Sequence, residues 1–306
     1  MQSLVIVNPA AGRGRVGRML PQIQSAVASV HPEGQVQIVQ TQGPGHATRL
    51  AQTTPAERVI AVGGDGTVHE VIRGLAHSGK VLGVVPVGSG NDFARMLGLH
   101  QKPLREALRM ALTGPVGPVD LGEVNGQPFG ASLGVGFDAM VARKALTAPT
   151  LLRGMPRYLY SIFAVLKELS LPTLTLEAEG QVLFQGKALL AALMNGYAYG
   201  GGIPIAPGAS PTDGLLSGVV AGEFSRLGVV GILPQLLLGK HVHHPRVHQY
   251  TGTRFTVRFD RPVAAHTDGE LLEPAALYQV RLHPKGLQVA HEAPRRSSET
   301  PRAPGA

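Results

Sequence analysis

Residues 61–71 read AVGGDGTVHEV, and they join an apolar run to an amphipathic segment through three glycines and one aspartate. The apolar run is typical of a buried strand, and the apolar residues that follow recur at the spacing of one helix face. These are Val68, Val71, Ile72 and Leu75. Glycine lets the backbone approach a ligand closely, and a helix N-terminus attracts anions. The stretch alone therefore fits a phosphate-binding turn, or an empty turn capped by Thr67 and Glu70.

The alternation of strand and helix extends over the first part of the chain. Strands are predicted at Ser3–Val7, Val36–Val39, Val59–Val62 and Val81–Val87. Apolar residues from Val16 to Val27 recur at helical spacing between the first two strands. This order is typical of a parallel sheet with helices on both faces, so we expect an α/β domain here.

A different pattern begins after about residue 117. The pair Asn125-Gly126 separates two apolar segments, which is a strong hairpin signal. Later strand-like segments predict a mainly antiparallel, β-rich part, with helices near Tyr158–Glu168 and Ser225–Leu238. From about His291 the chain is polar and rich in proline and arginine, which predicts a disordered tail.

Composition narrows the class of protein. The chain has 306 residues, 43% of them hydrophobic, and no cysteine, so we expect a globular protein without disulfides or thiolate metal sites. The net charge of +8 favours anionic partners such as nucleotide phosphates or an acidic membrane surface. An aromatic fraction of 5% and the lack of a Lys/Arg block argue against a nucleic-acid partner. No apolar run predicts a signal peptide or a membrane span, and we expect a cytoplasmic protein.

Two more glycine-rich stretches follow predicted strands. PVGSGNDFAR, residues 86–95, combines a glycine bend with polar side chains such as Ser89 and Asp92. VNPAAGRGR, residues 7–15, lacks the G-K-[ST] ending of a Walker A motif, but its Arg13 could reach phosphate oxygens. The carboxyl ends of neighbouring parallel strands face one crevice, where open α/β sheets bind ligands. The stretches together therefore predict a nucleotide site.

These three stretches resemble the catalytic domain of the diacylglycerol kinase family, especially its bacterial soluble lipid kinases. The resemblance continues through GVGFDAMV (134–141), NGYAYGGGIPIAPGASPTDGLL (195–216) and HTDGE (266–270), so it covers nearly the whole chain except the tail. It implies an α/β fold with an N-terminal Rossmann-like domain, a C-terminal β-sandwich-like domain and ATP in the cleft between them. It also implies an ATP-dependent kinase that phosphorylates a hydroxyl of a diacylglycerol-like or other long-chain lipid.

The same resemblance sets expectations for organisation and partners. We expect a catalytic domain over 1–120, completed by a last strand at about 284–290, a β-rich domain over 121–283, and a tail over 291–306. ATP and Mg²⁺ are the implied cofactors. The protein would bind the lipid at an anionic membrane surface, with which it would make peripheral contact. A homodimer is a further expectation, because family members are often dimers.

Residue roles also follow from the resemblance. Glu270 matches the proposed proton acceptor, with Asp268 as its neighbour in the DGE turn, and we expect Glu270, Asp65 and Asp268 to form the catalytic set. Asp213 looks like a structural magnesium ligand, completed by the carbonyls of Ser210 and Leu215. The implied nucleotide-binding set is Asn8, Arg13, Thr41, Gly63, Gly64, Asp65, Gly66, Thr67, Val68, His69, Ser89, Asn91 and Asp92. Within it, Asp65 is placed in the network of nucleotide and magnesium.

Some features depart from the family pattern or leave alternatives open. Ser217 stands where the family commonly has an acid after DGLL, and Leu271 follows the DGE turn in place of proline. An NAD kinase-like enzyme with a soluble acceptor and a non-catalytic nucleotide-binding regulator are the competing interpretations. The histidine-rich stretch 240–250 could chelate zinc on a helix, but Pro245 argues against that helix, so a solvated or anion-facing segment is favoured.

Overall fold

The computed structural model describes residues 2–32, 35–149, 151–152 and 155–292. The disordered tail predicted from about His291 therefore lies almost entirely outside the described residues. His291 itself is buried, and its backbone N–H donates to the Pro115 carbonyl over 3.0 Å.

Four parallel strands form the N-terminal sheet close to their predicted positions. They are β1 (Ser3–Val7), β2 (Val36–Gln40), β3 (Arg58–Gly63) and β4 (Val81–Pro86). Their order in the sheet is β2-β1-β3-β4, and every pair is parallel. All residues of β3 are buried, as expected of a central strand covered on both faces.

Helices on the two faces bury these strands. They are α1 (Ala11–Arg18), α2 (Leu20–Val30), α3 (His46–Thr53), α4 (Asp65–Leu75), α5 (Asp92–Met96) and α6 (Leu104–Thr113). One face packs Ile23 of α2 and Leu108 of α6 against the sheet, and the other packs Ile72 of α4. The helical pattern from Val16 to Val27 is split between α1 and α2, because Pro21 lacks the N–H that a continuous helix needs.

The second part of the chain is mainly antiparallel, as predicted. Its strands are β5 (Val116–Val124), β6 (Gln127–Phe129), β7 (Ser132–Gly136), β8 (Thr173–Ala178), β9 (Gln181–Lys187), β10 (Leu190–Met194), β11 (Leu216–Ala221), β12 (Val247–Gly252), β13 (Arg254–Thr267) and β14 (Glu270–Ala290). Its helices are α7 (Phe137–Leu146), α8 (Met155–Lys167) and α9 (Arg226–Leu237). The predicted helices correspond to α8 and α9, whereas α7 was not predicted.

The Asn125-Gly126 hairpin is confirmed. Asn125 and Gly126 have φ values of 47° and 79° and join β5 to β6 in an antiparallel pair. Two positive φ values in a two-residue loop are typical of the type I′ turn that this dipeptide favours.

β14 joins the two parts into one sheet with the order β12-β11-β10-β7-β13-β14-β4-β3-β1-β2. The strand begins at Glu270 in an antiparallel pair with β13. Its last residues pair in parallel with β4, with Gln288 opposite Val81. The position of Glu270 relative to the parallel sheet is therefore set by one continuous strand. The domain limits expected from the sequence stay a prediction.

Candidate active site

The glycine-rich loops after β3 and β4 touch backbone to backbone. A Cβ added at Gly88 would lie 2.6 Å from the Gly64 Cα, and one at Gly64 would lie 3.3 Å from the Gly88 Cα. Neither position accepts a side chain unless the loops move apart. The predicted meeting of these two stretches at one edge of the sheet is therefore what the structure shows.

Asp65 connects the two loops. Its Oδ2 accepts from the Asn91 N–H over 2.8 Å, and its Oδ1 accepts from the Asp92 N–H over 2.6 Å. The Asn91 side chain closes its own loop, because its amide accepts from the Gly88 N–H and donates to the Gly88 carbonyl. Asp65 and Asn91 thus shape the second loop, and a direct contact of either with ATP stays a prediction.

Asp92 is partly buried beside Asp65. Its Oδ1 accepts from the Gly201 N–H over 3.0 Å. Burial, followed by repulsion from Asp65, raises the pKa of Asp92 to about 7. Burial also raises the pKa of Asp65, although the two N–H donors oppose this shift. Two adjacent carboxyl groups that resist ionisation form a site that a cation would stabilise.

The loop after β1 packs against the start of α4. Asn8 Nδ2 donates to Thr67 Oγ1 over 3.0 Å, while Asn8 Oδ1 accepts from the Ala10 N–H over 3.1 Å. The next residues, Gly12–Gly14, all have left-handed φ values, and the Arg13 side chain is exposed. This loop therefore exposes the guanidinium of Arg13 to solvent beside the other two loops.

The predicted capping box of Thr67 and Glu70 is wrong. α4 has no side-chain cap. The Glu70 carboxylate instead accepts from the Gly45 and Ala47 N–H groups over 2.8 and 3.0 Å, and so caps the start of α3. A tertiary partner has taken the carboxylate that local spacing assigned to its own helix.

Several other predicted nucleotide contacts have their side chains engaged elsewhere. Val68 packs in the hydrophobic core, and its N–H donates to the Gly64 carbonyl. His69 is buried and faces Asp268. Thr41 is half-buried at the carboxyl end of β2, and Ser89 is exposed at the tip of its loop. Thr41 and Ser89 are thus the better placed of these residues to meet a ligand.

The DGE turn between β13 and β14 is fixed by the Asp268 carboxylate. This carboxylate accepts from the backbone N–H groups of Gly130, Ala131 and Ser132 over 2.7–2.9 Å. His69 Nδ1 of α4 lies 3.0 Å from its Oδ2. Burial opposes ionisation of Asp268, but the His69 contact and the N–H donors outweigh it and lower the pKa. Asp268 is therefore an ionised anchor between α4 and the β-rich part.

Glu270 reaches the glycine-rich loop from the other part of the chain. It is exposed, and a Cβ added at Gly66 would lie 2.6 Å from Glu270 Oε1. Gly66 is in the first turn of α4, where helix N–H groups attract negative charge. The structure thus brings together the two predicted motifs GGDGT and DGE.

A buried polar network lies behind the DGE turn. His266 Nε2 lies 3.2 Å from Asp138 Oδ2, which also accepts from the Tyr199 hydroxyl over 2.7 Å. His266 Nδ1 accepts from the Gly269 N–H over 3.4 Å. The imidazole proton is therefore on Nε2, which donates it in a hydrogen bond to Asp138. Burial, followed by the Asp138 carboxylate, raises the pKa of Tyr199 well above its usual value. Sequence reasoning missed this network, because its members are far apart in the chain.

The predicted metal loop is held by a residue that sequence reasoning missed. Asp213 is exposed, and its Oδ1 accepts from the Leu215 N–H over 3.0 Å, with Ser210 a few residues before it. The buried Asp120 accepts from the Gly214 N–H over 2.8 Å and from the Lys285 N–H over 2.7 Å. The available signal was the carboxylate of Asp120 among the apolar residues of β5, because charged side chains are rarely buried without partners.

The histidine-rich stretch forms a short 3-10 helix, His241–His243, and not an α-helix. His241 is buried, with Nε2 3.0 Å from the Ile205 carbonyl, while His244 packs on Phe224 and His248 on Phe184. Within the described residues these histidines do not form a group of three metal-ligating side chains. The zinc interpretation gains no support from this arrangement.

Comparison with known proteins agrees with the fold. Residues 2–124 match the diacylglycerol kinase catalytic domain, and residues 131–291 match the YegS C-terminal NAD kinase beta sandwich-like domain. A diacylglycerol kinase of Mycobacterium tuberculosis is 30% identical over 93% of this chain and 93% of its own. A probable lipid kinase YegS-like protein of Chromohalobacter salexigens is 35% identical over 68% of this chain and 69% of its own.

Solved structures show the same relationship. The crystal structure of a putative diacylglycerol kinase from Bacillus anthracis has a TM-score of 0.78 at 25% identity and covers 95% of both chains. An NAD kinase from Archaeoglobus fulgidus in complex with ATP has a TM-score of 0.55 at 11% identity, covering 95% of this chain and 93% of its own, and so shares the fold alone. The matching family model and relatives define the class of protein as a kinase. The chain belongs to the diacylglycerol kinase family.

Asp92 generates a prediction about stability and pH. Its pKa of about 7 in the folded protein exceeds the usual 3.8, so unfolding releases a proton between pH 4 and 7 and stability falls as pH rises through that range. We expect Asp92→Asn to remove this contribution. The fall in the free energy of unfolding between low and neutral pH should then be smaller in the variant than in the parent by about 1–3 kcal/mol, as expected of a half-buried group. Denaturant unfolding at pH 4.5 and 7.5 measures it, without nucleotide or divalent ions. An equal pH dependence in variant and parent would contradict the assignment.

The His266 network generates a prediction about turnover. We expect His266→Ala to lower kcat about tenfold with little change in the KM for ATP, because the turn carrying Glu270 loses its support. His266→Gln should recover part of the activity, since its amide can still donate to Asp138. Steady-state kinetics separate the outcomes, and equal losses in both variants would reduce His266 to a packing role.

Proposed function

We propose that this protein transfers the γ-phosphoryl group of ATP to a hydroxyl of a diacylglycerol-like or other long-chain lipid. The approach of Glu270 to Gly66 carries this proposal, because it places a carboxylate from the β-rich part beside a phosphate-binding loop. Phosphoryl transfer needs such a group to orient or deprotonate the attacking hydroxyl.

ATP would bind at the carboxyl edge of the parallel sheet. The first turn of α4 supplies N–H groups and a favourable dipole for its phosphates. The touching backbones of Gly64 and Gly88 leave the approach to these groups free of side chains. Arg13 is exposed on the neighbouring loop and can reach phosphate oxygens, while Thr41 and Ser89 lie on the rim of the same edge.

The residues present fit Mg²⁺ at two places. Asp65 and Asp92 face each other with raised pKa values, and oxygen ligands of this kind suit a hard cation. Asp213, with the carbonyls of Ser210 and Leu215, offers a second all-oxygen donor set, although Ser217 adds no carboxylate to it. Bound Mg²⁺ would supply charge neutralisation for the triphosphate.

Glu270 would act as the base in the transfer step. Its carboxylate takes the proton of the lipid hydroxyl as that oxygen forms its bond to the γ-phosphorus. The bond between the γ-phosphorus and the β–γ bridging oxygen breaks, and ADP leaves with the electron pair. Asp268 would position the turn and take no proton, because its oxygens already accept four hydrogen bonds.

An exposed apolar surface formed by α7, α8 and Leu151 between them favours a lipid acceptor. Its residues are Leu146, Leu151, Leu159, Tyr160 and Phe163. Arg143 and Lys167 are exposed on the same helices and could contact anionic headgroups. Within the described residues, no helix is long and apolar enough to cross a membrane. We propose that this surface docks on an anionic bilayer.

The central test offers several acceptors to the protein with labelled ATP and Mg²⁺. We expect transfer to a lipid such as diacylglycerol, and a fall in kcat of at least about 100-fold in Glu270→Gln with nucleotide affinity unchanged. Thin-layer separation of labelled products and fluorescent-nucleotide binding measure the two effects. Glu273→Gln is the matched control, because this residue lies on the same strand beyond the turn.

Three results would contradict parts of this proposal. Transfer to NAD alone would replace the lipid acceptor, and nucleotide binding without transfer would favour a regulator. Full activity in Glu270→Gln would remove Glu270 from the role of base while leaving the kinase reaction in place.

The docking surface has its own prediction. Leu159→Ser combined with Phe163→Ser should weaken binding to anionic vesicles at least tenfold, because each apolar side chain contributes about 1.5–3 kcal/mol when buried. Vesicle co-sedimentation measures binding, and transfer to a short-chain soluble diacylglycerol should be unchanged. Val182→Ser, at an exposed apolar residue on β9, is the control. Undiminished vesicle binding in the double variant would place docking elsewhere.

A further inference from the structure

A cluster of metal-ligating side chains lies at the end of α4 opposite to the glycine-rich loops. It consists of His77 in the loop between α4 and β4, Glu123 on β5 and His283 on β14. One ligand atom from each residue lies within 4.8 Å of the other two. α4 has 11 residues and is therefore about 16 Å long, which separates this cluster from Gly66.

The spacing of the three side chains suits a tetrahedral metal ion. His283 Nε2 lies 3.0 Å from Glu123 Oε2. Ligands bonded to zinc at about 2.0–2.1 Å lie roughly 3.3 Å apart in a tetrahedron, so this pair already spans about one edge. The ring centroids of His77 and His283 are 4.6 Å apart, and the ring planes meet at 73°. This edge-to-face arrangement brings the imidazole of His77 to the same place as the pair of Glu123 and His283.

A fourth residue orients the carboxylate. Arg281 Nη2 donates to Glu123 Oε1 over 3.0 Å, and Oε2 is left facing His283. Ligating carboxylates in metal sites are commonly held in this way by an outer hydrogen bond. The Arg281 side chain is 51% exposed, so solvent screens its charge.

His77 adopts a left-handed backbone conformation, which is uncommon for residues other than glycine. Its φ is +60°, in the left-handed region that favours glycine. The α4–β4 loop therefore holds a strained residue at the one position that brings a second imidazole to Glu123 and His283. Strain of this kind is commonly found at functional sites.

We propose that His77, Glu123 and His283 form a binding site for a transition-metal ion of the zinc class. Two imidazoles and one carboxylate provide three ligands, and the exposed side of His77 leaves the fourth position to water. The ion would tie the α4–β4 loop to β5 and β14. It would act as a structural link, independent of the kinase reaction.

The test titrates the full chain, freed of metal by chelation, with Zn²⁺ by calorimetry and with Co²⁺ by visible absorption. We expect one strong site and the intense absorption of four-coordinate Co²⁺. His77→Gly and His283→Gln should each weaken Zn²⁺ binding at least tenfold. His77→Gly is informative because glycine relieves the positive φ, so the metal-free variant should be at least as stable as the parent. Zn²⁺ should raise the unfolding temperature of the parent by more than that of this variant.

A matched control separates this cluster from the histidine-rich stretch. His244→Gln removes an imidazole that packs on Phe224, outside the cluster, and should leave Zn²⁺ stoichiometry and affinity unchanged. Loss of binding in His244→Gln with retention in His283→Gln would overturn the proposal. So would the absence of a strong Zn²⁺ site in the parent, which would leave the cluster as an ion pair of Glu123 with His283 and Arg281.

Discussion

The buried carboxylate of Asp268 is the interaction on which the arrangement of the site depends. An ionised carboxylate inside a protein is costly unless its lone pairs are satisfied, and here three backbone N–H groups and His69 satisfy them. The donors come from α4, from the two residues before β7 and from the first residue of β7. One side chain thus fixes the DGE turn against both parts of the chain, and loss of any donor would leave a buried charge short of partners.

The two acidic residues of the DGE turn differ in environment and therefore in chemistry. Asp268 is enclosed and holds its charge as an anchor, whereas Glu270 is exposed beside the first turn of α4. A base must accept a proton from a ligand, which requires a free oxygen facing the ligand. Only Glu270 has one. Positioning is therefore the role that the environment of Asp268 favours within the predicted catalytic set, and the role of base stays a prediction for Glu270.

The sequence predicted what local patterns determine. Buried parallel strands need continuous apolar runs, and the four N-terminal strands were found to within a residue or two. Local patterns could not give the tertiary partners of polar side chains. Glu70 has the spacing of a residue that caps its own helix, α4, but it caps α3 instead. Asp120 stands in the sequence as an acidic residue within a strand, but its carboxylate holds the loop that contains Asp213. The contact between Glu270 and Gly66 depends on β14 crossing into the parallel sheet, which no short stretch encodes.

Gly64, Asp65 and Gly66 of AVGGDGTVHEV each make a different contact. Gly64 lies against the backbone of Gly88, so a side chain there would push the two loops slightly apart. A side chain at Gly66 would displace the Glu270 carboxylate from the position it occupies beside α4. Asp65 between them bonds the start of α5 and so holds the loops that the glycines allow to meet. The stretch is therefore constrained by the need to bring three segments of the chain within contact distance around it.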